Sequence, residues 1–368
     1  MLSVVAVVDI SALLFCSARY VRFTIKELQY ILSMRKTIVL AIVAIACALG
    51  ATAQTKSDII NEIAKRFTFS GYAQLGWEYH SELDPNNDFT INKLILMSHV
   101  KVTEKISAFT MFDFKGGTLH ELWVNYNPKP WLNVKVGQFK TPYTFENPIS
   151  PAILETISQL SLAGSWMICG SDPMMMPGGA GRDIGINVYG DLPKGIASYD
   201  LAVMNGAGRN RRDDNSWKDV VARLTFHPLA GLDVGGSMII GQGKCHSDYW
   251  VSGAHSDGRF SRNRFAASAQ LKTKPVNARA EYMWGNNGDN DSNGGYITVQ
   301  VNNVVKNLDI VASFDHLEGD VPQEVNRLQA GLQYWFYPKC RIQAAYSYTD
   351  REFGDPDHAI LTQIQVAF

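Results

Sequence analysis

Several groups of residues in this 368-residue chain have types and spacings that could do chemistry. The largest group is cationic: Arg223, Arg262, Arg264, Lys272, Arg279, Arg327 and Arg341. Each alternates with apolar or small neighbours, so the charges share one face of an extended segment. Guanidinium and ammonium groups held on one face could recognise anions by electrostatics. Asp289-Asn290-Asp291-Ser292-Asn293-Gly294 matches the first half of a calcium loop. Its twelfth position is Gln300, where a bidentate Glu is required, so the expectation is a polar, turn-forming loop and no metal. His120-Glu121 lacks a second His at zinc spacing, since position 124 is Val. His246, His255 and Asp257 share one polar stretch and are what a hydrolase could use, although a polar loop accounts for them more simply. Phosphate-cradling GxxxxGK and nucleophile-elbow GxSxG motifs are absent. Cys169, Cys245 and Cys340 lie far apart without a CxxC, so a disulfide framework is not expected.

The elements that would position these residues follow a period of two. Phe265 to Leu271, Leu328 to Tyr334, Ile342 to Tyr348 and Ile360 to Phe368 each alternate apolar with polar or small residues. That pattern is a strand with one apolar face. Sixteen such strands are expected, at about 67–80, 88–102, 106–115, 118–127, 131–139, 182–190, 198–205, 217–227, 231–242, 260–272, 275–285, 295–303, 307–317, 326–337, 340–350 and 359–368. Every second connection is short, such as Thr103-Glu104-Lys105, Pro193-Lys194-Gly195 and Pro338-Lys339. The others are mostly longer and polar, at 206–216, 243–259, 286–294, 318–325 and 351–358, and the third spans about 140–181. Short turns at one end and long loops at the other mark an all-β transmembrane antiparallel barrel. An even strand count puts both termini on the same side. Aromatics near strand ends, among them Trp77, Tyr126, Trp131, Trp284 and Tyr337, suit the two interfacial girdles.

Composition agrees only after this pattern is known. The chain is 46% hydrophobic with a mean hydropathy of −0.09, which a soluble protein would also show. A barrel hides its apolar face by alternation. Lys+Arg 34 against Asp+Glu 35 excludes a polybasic nucleic-acid binder. Beyond residue 53 no apolar run is long enough for a membrane helix. Met34-Arg35-Lys36, the apolar run Thr37 to Leu49 and Ala51-Thr52-Ala53 form a secretory signal peptide over 34–53. Residues 1–33 then read as an over-extended translation start. Residues 54–66 read as a short periplasmic segment before a barrel domain at 67–368.

Particular segments resemble the phosphate-selective porin O and P family of Gram-negative outer membranes. They are Ser70-Gly71-Tyr72-Ala73-Gln74, Glu121 to Tyr126, Val136-Gly137-Gln138-Phe139-Lys140-Thr141-Pro142-Tyr143, Arg182 to Ile186 and Asn205-Gly206-Ala207-Gly208-Arg209-Asn210. The resemblance implies a homotrimeric channel of sixteen strands whose long third loop folds into the lumen. In the family an arginine ladder and a lysine on that loop form the anion site. Here Lys140 is the only basic residue of the third connection, against Glu146, Glu155 and Asp172, and Met174-Met175-Met176 lie near its end.

The functional expectation is a passive outer-membrane diffusion channel for small hydrophilic solutes, with anions such as phosphate favoured. Its partners would be outer-membrane lipid and the solutes themselves. No cofactor, metal, catalytic residue or nucleic acid is expected. The pore-lining candidates are the seven cationic residues above and Lys140, on a wall expected to carry few acidic neighbours. Two alternatives stand beside this: a plugged structural or adhesive surface barrel, and an outer-membrane barrel enzyme.

Overall fold

The computed structural model describes residues 65–157, 160–168, 181–245, 250–322 and 324–368. The signal segment 34–53, residues 1–33, most of 54–66, Met174-Met175-Met176 and His246 lie outside the described residues. The first strands are β1 (Phe67–His80), β2 (Asn87–Lys101), β3 (Ile106–Asp113), β4 (Thr118–Lys129) and β5 (Leu132–Lys140). A short helix α1 (Leu162–Ile168) follows, then β6 (Arg182–Asp191), β7 (Ala197–Met204), β8 (Asp219–Leu229), β9 (Leu232–Lys244) and β10 (Arg259–Lys272). The chain ends with β11 (Val276–Asn287), β12 (Asn290–Val305), β13 (Leu308–Gly319), β14 (Val325–Tyr337), β15 (Cys340–Arg351) and β16 (Asp357–Ala367).

Each strand pairs antiparallel with its sequence neighbours, and β1 pairs with β16, so the sixteen strands form a closed barrel. The closing register runs from Tyr72 opposite Ala367 to His80 opposite Ala359. At its end Gly71 N–H donates to Phe368 O at 3.2 Å, and Phe368 N–H donates to Gly71 O at 3.0 Å. The C-terminal aromatic residue is thus part of the seam.

Alternation in sequence becomes alternation in exposure. On β14, Leu328, Leu332 and Tyr334 are exposed, whereas Gln329 and Gln333 are buried. On β15, Ile342 and Tyr346 point out, and Arg341, Gln343 and Ser347 point in. An outer face of Leu, Ile, Val and aromatic side chains around a polar interior is the inverse of a soluble protein, and it is what a barrel in a bilayer requires.

The connections at one end are short: 102–105, 130–131, 192–196, 230–231, 273–275, 306–307 and 338–339. Gly231 shows how tight they are. Its φ is +81°, and a Cβ there would meet Lys272 O at 2.3 Å. The other end carries the long connections, with one correction. Residues 286–294 are not a long loop. Asn290 to Gly294 pair with Asn287 to Met283, leaving Gly288 and Asp289 as the turn. The polar run Asp289 to Gly294 suggested a loop, but backbone pairing is indifferent to side-chain polarity where a hairpin continues past its apolar section.

On the outer face, Leu332 sits mid-strand between Ile310 and Ala344. Leu332→Arg is expected to destabilise the barrel by roughly 2–4 kcal/mol in chemical denaturation from lipid bilayers. Unchanged stability would contradict a lipid-facing position.

Candidate functional site

The interior is organised by the connection between β5 and β6. Residues of 141–157 and 160–168 form hydrogen bonds with the buried faces of strands from β8 round to β16 and β1. Thr144 N–H donates to Ser237 Oγ on β9 (3.0 Å), and Thr144 O accepts from Arg223 on β8 (3.0 Å). Phe145 N–H and Glu146 N–H both donate to the Glu281 carboxylate on β11, at 2.6 and 2.8 Å. Pro151 O accepts from Gln74 on β1 (3.2 Å) and Arg341 on β15 (3.4 Å). Ala152 O accepts from Gln365 on β16 (3.0 Å). Leu160 O accepts from Arg327 on β14 (3.2 Å), and Met167 O from Arg264 on β10 (3.4 Å). These bonds satisfy main-chain carbonyls that would otherwise be buried without a partner.

Helix α1 adds an apolar contact. Ala163, Trp166, Met167 and Ile168 are buried in one cluster with Ala266, Met283, Tyr296 and Leu317. Ahead of the helix, the Glu146 carboxylate accepts from Ser161 N–H (3.0 Å) and Ser161 Oγ–H (2.7 Å), which fixes the chain as it enters α1. Asn147 closes the base of the connection, donating to Thr141 O and Gly181 O at 2.8 and 3.0 Å.

The candidate cations are in large part anchors. Arg279 pairs with Glu155 at 2.7 Å and donates to Tyr296 Oη at 2.8 Å. Arg327 pairs with Asp315 at 2.9 Å, Arg262 with Asp219 at 2.6 Å, and Arg223 with Asp200 at 2.7 Å. Arg264 is fully buried, bonded to Asn286 O and Asn287 Oδ1 at 2.7 Å each. Arg341 is also fully buried, on Gln333 Oε1 at 2.8 Å and 5.1 Å from the Trp335 ring. Lys272 is exposed at the last position of β10. Lys140 donates to Asn147 O and Ile149 O inside the connection itself. The expectation of few acidic neighbours is therefore corrected. Asp200, Asp219, Asp315 and Glu155 each neutralise an arginine, because an unpaired buried guanidinium would be too costly.

Open space lies on the other side of the interior. A cavity of about 310 Å³ is bordered by Lys93, Lys140, Arg182 and Arg209, with His120, Asp113 and residues of the connection. A second, of about 250 Å³, lies between the connection and β2 to β8 and is bordered by Arg223 and Lys140 among others. Of the eight candidates, only Lys140 and Arg223 border either space. Sequence reasoning missed Lys93, Arg182, Arg209 and His120. Two bulges hid part of this wall. Gln74 faces Lys93 and Leu75 faces Ile91, so Asn92 is an extra residue and Lys93 turns inward against simple parity. A similar slip skips His120 between Met111–Glu121 and Phe112–Leu119.

The comparisons with known proteins agree with this architecture. No curated protein matches the chain. The fold is similar to an anion-selective porin from Comamonas acidovorans, with a TM-score of 0.62, 10% identity, and coverage of 82% of this chain and 99% of that one. It is also similar to the outer membrane channel DcaP of Acinetobacter baumannii, with a TM-score of 0.60, 12% identity, and coverage of 82% and 97%. OmpT, an outer membrane protein of Vibrio cholerae, aligns with a TM-score of 0.61 at 9% identity over 82% and 99% in a trimer form. These identities establish a shared barrel fold. The model of the Gram-negative porin family matches residues 39–366, and the chain belongs to that family.

Proposed function

We propose that the protein is a passive diffusion channel of the outer membrane for small hydrophilic solutes, with a preference for anions. The observation that carries this is the 310 Å³ cavity, bordered by Lys93, Lys140, Arg182 and Arg209 and by the carboxylate of Asp113, with Glu121 paired to Arg182. Positive charge on a narrow interior wall raises the local concentration of anions and lowers that of cations. The β5–β6 connection narrows the passage by standing on the β8 to β16 wall. Phosphate is one anion such a wall would admit, as the resemblance to the phosphate-selective group suggests. Transport needs no covalent chemistry, and the proposal includes no catalytic role for His255 or Asp257. Delivery would use residues 34–53 as a removable signal peptide. The working form would be a homotrimer, in line with the trimer form of the Vibrio cholerae neighbour.

A second reading is favoured by one observation. The connection reaches Gln74 on β1 as well as Gln365 on β16, so it crosses much of the interior. A plugged structural or adhesive barrel would share that feature. Conductance separates the two, since a plugged barrel passes no current.

Lys93→Gln with Arg209→Gln is expected to lower the anion-to-cation permeability ratio by about half or more, read as the reversal potential in a KCl gradient. An unmoved reversal potential would remove these residues from the pathway.

The mobility of the connection should depend on pH through Glu146, which lies outside the spanning strands. Burial pushes its carboxyl from an ordinary 4.5 up to about 7, opposed by Arg279 and assisted by Glu281. The docked state therefore prefers the neutral acid. Docking is tightest below the ordinary value and weakens as pH rises from there through about 7. Open-channel current noise should grow between pH 5 and pH 8, roughly the span set by this shift. Glu146→Gln should flatten that dependence, and a noise profile identical to that of the parent protein would contradict the assignment.

A further inference from the structure

We propose that Lys135 and the apolar surface beside it form a binding subsite for a monoanionic organic solute, an aryl carboxylate. This rests on the channel reading and goes beyond general anion preference.

Lys135 projects inward from β5 between Val134 and Val136, the latter exposed on the outer face. Its Nζ lies 4.8 Å from the Trp123 ring centre, 4.9 Å from Tyr189 and 5.5 Å from Phe139. Among the described residues it forms neither an ion pair nor a hydrogen bond. The nearby charges are otherwise engaged: Glu121 with Arg182 at 3.2 Å, and Asp200 with Arg223 at 2.7 Å. Ring faces stabilise the ammonium beside the cavity, but they supply no hydrogen-bond acceptor for its three donors.

The adjoining cavity of about 250 Å³ is lined by Met97, Phe109, Met111 and Phe139 together with the ion-paired Glu121, Asp200 and Arg223. A water-filled passage has no need of such a surface. Apolar side chains face inward on β2, β3 and β5, where β14, β15 and β16 present Gln329, Gln343 and Gln363. An unpaired cation beside an apolar floor matches a solute with one carboxylate and an apolar body. The carboxylate supplies the missing acceptor in a charge-assisted hydrogen bond. The body covers methionine and aromatic surface that is otherwise in contact with water. Inorganic phosphate would gain only the first contact and a neutral sugar neither.

The test uses the full protein in planar bilayers, with sodium benzoate, sodium acetate and inorganic phosphate added in turn to symmetric KCl. Benzoate is expected to reduce and modulate the current at concentrations about tenfold lower than acetate or phosphate. Lys135→Met, its folding checked by heat-modifiable gel migration, should raise the half-blocking benzoate concentration about tenfold. Met111→Thr keeps the ammonium and roughens the floor, so it should reduce the advantage of benzoate over acetate. Equal potency of benzoate and acetate, or a Lys135→Met channel blocked like the parent, would overturn the proposal and leave the channel reading intact. Absence of current in KCl alone would overturn the channel reading first.

Discussion

The rest of the structure depends on one constraint: a backbone in hydrocarbon must satisfy all its hydrogen bonds within the protein. A sheet with edges cannot do this, so β1 must meet β16. The paired bonds between Gly71 and Phe368 complete that meeting. Closure then dictates the side chains. Every strand presents one row to lipid and one to the interior, which is why apolar and polar residues alternate from Phe67 to Phe368. It also explains the misleading bulk hydropathy, because two opposite faces average to nearly zero.

Closure creates a second problem, since the inward row is far more polar than a packed core tolerates. Two solutions are visible. Toward β8 to β16 the β5–β6 connection docks on the wall, and arginines hold it through its carbonyls and through Glu155. Arg223, Arg262, Arg279 and Arg327 are each matched by a carboxylate. Toward β1 to β7 the interior stays open, and polar groups there can use water. The division of the lumen into an occupied and an open side follows from where the connection finds acceptors and donors.

Much of this was legible in the sequence. Strand number and nearly all strand boundaries followed from period-two alternation, and the long third connection followed from connector lengths. The inward direction of Arg223, Arg264, Arg279 and Arg341 followed from parity. Their partners were not legible. Glu155 and Arg279 are 124 positions apart and meet only because the connection crosses the interior. Parity also failed at bulges, where one extra residue reverses the face, as at Asn92 before Lys93. Lys135 was not among the residues singled out in the sequence, because its surroundings come from β3, β4 and β6 and exist only once the barrel is closed.

The central claim is that solutes pass along the wall of β1 to β7 and not along the arginine-rich wall. It is tested most directly by cysteine accessibility during conduction, with Cys169, Cys245 and Cys340 replaced by Ser. Lys93→Cys and Gln333→Cys channels would be exposed in turn to a charged, thiol-specific methanethiosulfonate while current is recorded. The account predicts a stepwise fall in current for Lys93→Cys and no change for Gln333→Cys, which lies buried on β14. Block through Gln333→Cys with Lys93→Cys unaffected would contradict it.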